Sequence, residues 1–67
     1  MKFYVIIKEG GCYTDYYSEI VLVTSKKREA FKIANEINDN IKPIDYVNAL
    51  YIDVWENGKQ TETIKIK

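Results

Sequence analysis

The sequence contains no histidine, and its single cysteine is Cys12. An internal disulfide is therefore impossible, and a zinc site within one chain is not expected, because the usual nitrogen and sulfur ligands are missing. The absent histidine also removes the commonest general base at neutral pH. Cys12 follows Gly10-Gly11, but a nucleophilic thiol needs a base or a depressed pKa, and only a lysine or an aspartate is at hand. Asp15, Asp45 and Asp53 show neither ligand spacing nor a paired-carboxylate pattern. The expectation is a chain with no catalytic residues, no cofactor and no metal.

An excess of either charge is lacking too: ten Lys and Arg face ten Asp and Glu. That gives no general pull toward nucleic acid or a membrane surface. Long hydrophobic runs are absent, the longest being residues 3–7, too short for a signal peptide or a membrane span. With a free thiol, this places the expected location in the cytoplasm. The 67 residues make one small domain, residues 1–67. Such a chain buries only about 60% of its unfolded surface, so oligomerisation is the natural extra stabiliser.

What is present is organised around residues 18–41. Residues 18–24 are a dense β-branched run, which favours a strand. Within it Ile20 and Leu22 point one way, and Glu19, Val21 and Val23 the other. Ser25 offers a hydroxyl to cap a helix. Ala30, Ile33, Ala34, Ile37 and Ile41 then recur at helical spacing, with Phe31 at the flank and Arg28, Lys32, Asn35 and Asp39 opposite. Asn38-Asp39-Asn40 can end the helix, since Asn tolerates the left-handed conformation. Pro43 turns Lys42 out of the helical region.

Residues 1–8 read as a strand with Phe3, Val5 and Ile7 on one face and Tyr4 and Ile6 on the other. Apolar side chains on both faces mark an internal strand or a second covered surface. Residues 9–17 form a loop, opened by Gly10-Gly11 and turned by Thr14-Asp15. Residues 45–56 and 59–67 are the last two strands, and Asn57-Gly58 between them is a strong hairpin signal. The expected fold is α+β, a ββαββ chain whose four-stranded antiparallel sheet has the order 2-1-3-4, with one helix packed on one face. The right-handed crossover carries the third strand to the far side of the first.

The last hairpin contains a conflict. A two-residue type I′ turn pairs Glu56 with Lys59, and counting back puts Ile64 and Ile66 on the face of Tyr51 and Trp55. A three-residue loop with a bulge at Gly58 puts them on the face of Leu50, Ile52 and Val54 instead. The expectation follows turn chemistry, with the bulge as the alternative. The side of the sheet away from the helix would then carry Tyr51, Trp55, Ile64 and Ile66, and strand 1 could add Tyr4 and Ile6. A contiguous apolar patch of that kind marks an interaction surface, for a homodimer or another protein. Asp53, on the same side, would partner a lysine or lie at the rim of the interface.

Two further stretches are candidates for binding. Tyr13, Tyr16 and Tyr17 lie in or beside the long loop, and tyrosine suits recognition surfaces. Lys26, Lys27 and Arg28 occupy the first helical turn, where positive charge opposes the macrodipole, by about 0.3–1 kcal/mol each. Together with the free N–H groups they would attract an anion. Nucleic acid is the less favoured partner, because its affinity rests on phosphate contacts and the chain is neutral overall.

The pattern YVIIKEG…YTDYYSEIVLVTSKKREAFKIANEI resembles a group of small, functionally uncharacterised ββα(ββ) domains of bacteria and phages. Tyr13-Thr14-Asp15-Tyr16 stands for their loop and Thr24-Ser25 for their cap, over residues 3–37. Gly10-Gly11-Cys12 and the cationic first turn depart from that pattern. The resemblance implies the fold and a bacterial or phage origin, and no activity. Nine lysines to one arginine, with ten isoleucines, fit a low-GC source. The functional expectation is a non-enzymatic protein–protein interaction module, such as a phage-encoded inhibitor of a host protein. The alternative is a nucleic-acid or anion-binding module using the basic turn.

Overall fold

The computed structural model describes residues 1–12 and 14–67. Tyr13, one of the candidate loop tyrosines, lies outside the described residues. In chain order the elements are β1 (Lys2–Gly10), β2 (Tyr17–Thr24), α1 (Lys27–Asn40), a single 3-10 turn (Pro43–Asp45), β3 (Val47–Glu56) and β4 (Lys59–Lys65). The strands form one sheet in the order β2-β1-β3-β4, with every neighbour antiparallel. This is the expected ββαββ arrangement, with β1 internal.

The core lies between α1 and one face of the sheet. Tyr4 and Ile6 of β1 and Leu50, Ile52 and Val54 of β3 are buried there against Ala30 and Ala34 of the helix. Two alanines at the contact let the helix backbone come close to the sheet. Phe31, Ile33, Ile37 and Ile41 fill the flanks. Ile6, Leu50 and Ile52 are fully enclosed, each worth about 1.5–3 kcal/mol relative to exposure. Tyr4 and Ile6 were expected on the open side. They face the helix because they pair with Val54 and Ile52, and cross-strand partners share a face.

Register shifts in all three ladders re-aim side chains. In β2 the extra residue is Val21, so Leu22 pairs with Ile6 and Ile20 with Ile7. Leu22 therefore joins the core while Ile20 turns to the open side; the simple alternation had put them together. In β3 the extra residue is Asn48, which lets buried Val47 pair with Gly10. In β4 it is Thr61. Each follows from the rule that one inserted residue reverses the alternation beyond it.

The third shift settles the hairpin conflict in an unexpected way. Asn57 and Gly58 both have positive φ, 52° and 82°, and Glu56 pairs with Lys59, as a type I′ turn requires. Yet Ile64 lies opposite Ile52 and packs against the core with Ile66. The turn and a bulge coexist, with the bulge at Thr61 rather than Gly58. Placing Ile64 and Ile66 on the open face is thus corrected.

The helix ends also differ from expectation. The N-cap is Lys26, with no side-chain cap, and Ser25 is one residue too early. Thr24 Oγ1 instead accepts from the Lys26 N–H at 3.1 Å. At the other end, no Asn is left-handed: Ile41 leaves the helix extended, at φ −71°. The left-handed residue comes later, at Tyr46, φ 49°, whose carbonyl accepts from the Gly11 N–H at 2.8 Å.

Candidate functional site: the open face of the sheet

With one helix on one face, the opposite face of the sheet has no covering element among the described residues. Its composition follows from the pairing. Phe3 stands across from Trp55, Val5 across from Asp53, and Ile7 across from Tyr51. On the β2 side, Val23 pairs with Val5 and Ile20 with Ile7. On the β4 side, Thr63 pairs with Asp53 and Lys65 with Tyr51. The result is an apolar surface three strands wide.

Much of that surface meets solvent. Ile20 is 66% exposed, Val23 54%, Phe3 38% and Trp55 37%. The side chains frame a depression of about 570 Å³ that reaches from Ile20 across to Trp55 and the Asn57-Gly58 turn. Trp55 and Tyr51 are where the sequence placed them. Tyr4, Ile64 and Ile66 are not part of this face. Phe3, Val5, Ile7, Ile20 and Val23 replace them. Their alternation in β1 was visible, but nothing in one strand says which of two apolar faces the helix takes.

Asp53 is the charged group set among the apolar side chains of this surface, and it is only 8% exposed. Its Oδ1 accepts from Thr63 Oγ1 at 2.9 Å and from Gln60 Nε2 at 3.2 Å. Gln60 also donates to Thr63 Oγ1 at 2.8 Å, which braces both donors. The register shift at Thr61 brings Thr63 opposite Asp53. Among the described residues the ion pairs are Lys2–Glu56 and Lys8–Glu19, so the Asp53 carboxylate has no cation. The neighbouring Tyr51 phenol is held above its ordinary range, first by burial and then by the Glu9 and Asp53 carboxylates.

The other candidates lie elsewhere. Lys26, Lys27 and Arg28 are exposed at the start of α1, and Lys27 Nζ stands 5.9 Å from the centroid of the Phe31 ring. Tyr16 projects from the loop into solvent. Tyr17 is half used by the fold: its ring closes over Gly10 and, with Lys8 and Val47, it borders a hollow of about 500 Å³ under the end of the helix. Cys12 is half-buried, and its carbonyl accepts from the Asp15 N–H at 3.0 Å. No cluster of three or more metal-ligating side chains occurs among the described residues. Among the described residues no helix is long and apolar enough to cross a membrane. Comparison with protein-family models, with curated proteins and with solved structures found no match.

Proposed function

We propose that the protein is a non-enzymatic interaction module whose contact surface is the open face of the sheet. The observation that carries this reading is the run of exposed apolar side chains from Ile20 to Trp55 on a face without a covering helix. Contiguous exposed apolar area on a small soluble domain is normally an interface, and its central aromatics are the residue types that dominate binding energy. For a chain carried by a phage or mobile element, the small size and the exposed aromatics favour an inhibitor of a host protein as the form of that module. The test is differential capture from a host lysate. The wild type should retain a protein that folded Ile20→Asp and Trp55→Asp variants lose. Retention unchanged by both substitutions would end the reading.

The alternative is anion or nucleic-acid binding at the first turn of α1. It is favoured by three exposed cations beside a helix start that no side chain caps. A gel shift at low salt that Lys26→Glu/Lys27→Glu abolishes would support it, and no shift at low salt would remove it.

A further inference from the structure

The open face is apolar, but its middle is a carboxylate. Asp53 is flanked along β3 by Tyr51 and Trp55 and across the ladders by Val5 and Thr63. Oδ1 already accepts two hydrogen bonds. Among the described residues no donor reaches Oδ2 and no sealed side-chain oxygen is left without a partner, so Oδ2 is not closed off from solvent, and Asp53 is one of the residues that line the depression.

A partner that covers this face must do something with that charge. Burying a carboxylate under apolar atoms is expensive unless a cation or further donors meet it. A second copy of this chain is a poor occupant, because a two-fold interface is self-complementary. Centred on this face, it would press Asp53 toward its own symmetry mate, with Glu9 on the same side, while Lys65 of that face stands across from Tyr51 on the edge strand and not across from Asp53. Like charges without water between them repel. The aromatic surroundings, in contrast, suit a cation. Trp55 and Phe3 stand directly across from one another beside Asp53, and a guanidinium or ammonium group gains from an aromatic face as well as from the carboxylate.

Resting on the interaction reading above, we propose that the occupant is a segment of another protein bearing an arginine or lysine. Its cation sits on Asp53 Oδ2, and its aliphatic stem and apolar neighbours lie against Trp55, Phe3 and Val5. Asp53 supplies specificity, and the apolar rows supply most of the contact area.

The experiment is selection of displayed random twelve-residue peptides on the wild type, with counter-selection on Trp55→Asp. Retained peptides should carry an arginine or lysine beside apolar residues. Replacing that cation by norleucine should weaken binding to the wild type about tenfold, and binding to Asp53→Asn by less than about twofold, as a lost charge-assisted contact predicts. Retained peptides without a cation, or a norleucine replacement without effect on the wild type, would overturn the cation assignment and leave the interface standing. The norleucine comparison on the wild type needs no variant of Asp53. Failure to retain any peptide that discriminates against Trp55→Asp would overturn both. A concentration-dependent dimer in sedimentation, lost in Trp55→Asp, would replace the cationic partner by a second copy.

Discussion

Ile64 stands directly across from Ile52, on the face that α1 covers. A type I′ turn followed by an unbroken ladder would have put it on the other face. Thr61 has no counterpart in β3, and that one residue reverses the alternation between the turn and the end of the chain. Thr61 Oγ1 also donates to the Val54 carbonyl at 3.3 Å, tying the bulge to β3.

Deleting Thr61 should therefore be far worse than replacing it. The deletion forces Ile64 and Ile66 onto the open face and strips half-buried apolar cover from the core. The expected loss is about 2–3 kcal/mol, the transfer value for two partly buried isoleucines. Thr61→Ala keeps the register and should cost about 0.5–1.5 kcal/mol for the hydrogen bond. Urea denaturation of both variants measures the difference. Equal stabilities would mean the bulge does not set the register.

The two faces should respond differently to truncation. Ile52 is fully enclosed, so Ile52→Ala should cost about 2–5 kcal/mol and leave a domain of this size largely unfolded. Ile20, mostly exposed on the open face, should tolerate Ile20→Ala within about 0.5 kcal/mol. A large thermal shift for Ile20→Ala would show that the open face is part of the monomer's stability.

Gly10 has no room for a side chain. A Cβ there would lie 2.5 Å from the Tyr46 carbonyl oxygen and 2.8 Å from the Tyr17 hydroxyl. The tyrosine can swing away, but the carbonyl is backbone and is held by the Gly11 N–H. Gly10→Ala should destabilise by about 1–3 kcal/mol, as overpacking does. Gly58→Ala meets nothing within 4 Å but sits at φ 82°, so its cost is conformational. Thermal melts would register both losses, and a neutral Gly10→Ala would contradict the close packing of the loop on Tyr46.

Charge at the start of α1 can be improved. Arg28→Glu replaces a cation that opposes the macrodipole with an anion that favours it, and should gain about 0.3–1 kcal/mol. Lys27→Glu should gain less, because Lys27 also stands over the Phe31 ring and forfeits that contact. Melting temperatures in low salt give the order, and a larger gain for Lys27→Glu would remove the cation–π contact from the account.

Alkaline conditions should weaken the fold. The Tyr51 phenol is held above its ordinary 10.0, by burial first. Lys8 is held above 10.5 by its hydrogen bond to Glu19, against a smaller opposing effect of burial. Both groups bind their proton more tightly in the folded state than in the unfolded chain. Their contribution is complete below about pH 10 and is lost as pH rises through the folded values. Stability measured by urea denaturation should fall above about pH 10, and less steeply in Tyr51→Phe. An unchanged slope in that variant would contradict a raised Tyr51.

Local chemistry was enough to place the elements. The β-branched density of residues 18–24, the helical recurrence from Ala30 to Ile41 and the Asn57-Gly58 turn each act within a few residues, so they are written in the sequence. With these, the crossover rule left the order β2-β1-β3-β4 as the natural sheet. Leu50, Ile52 and Val54 as the core face, and Tyr51 and Trp55 as the open face, were legible for the same reason.

Which face of β1 the helix covers was decided only in the folded sheet. Tyr4/Ile6 and Phe3/Val5/Ile7 are both apolar, and only pairing with β3 chooses between them. The inserted residues Val21, Asn48 and Thr61 leave no local mark either. Each reverses which residues on either side of it face the core that another strand builds. The open face is the product of those choices. The sequence by itself determined that the sheet would have one covered side and one aromatic side. Tertiary pairing decided that Ile64 and Ile66 would leave the aromatic side, that Phe3 and Ile20 would join it, and that Asp53 would stand in its middle.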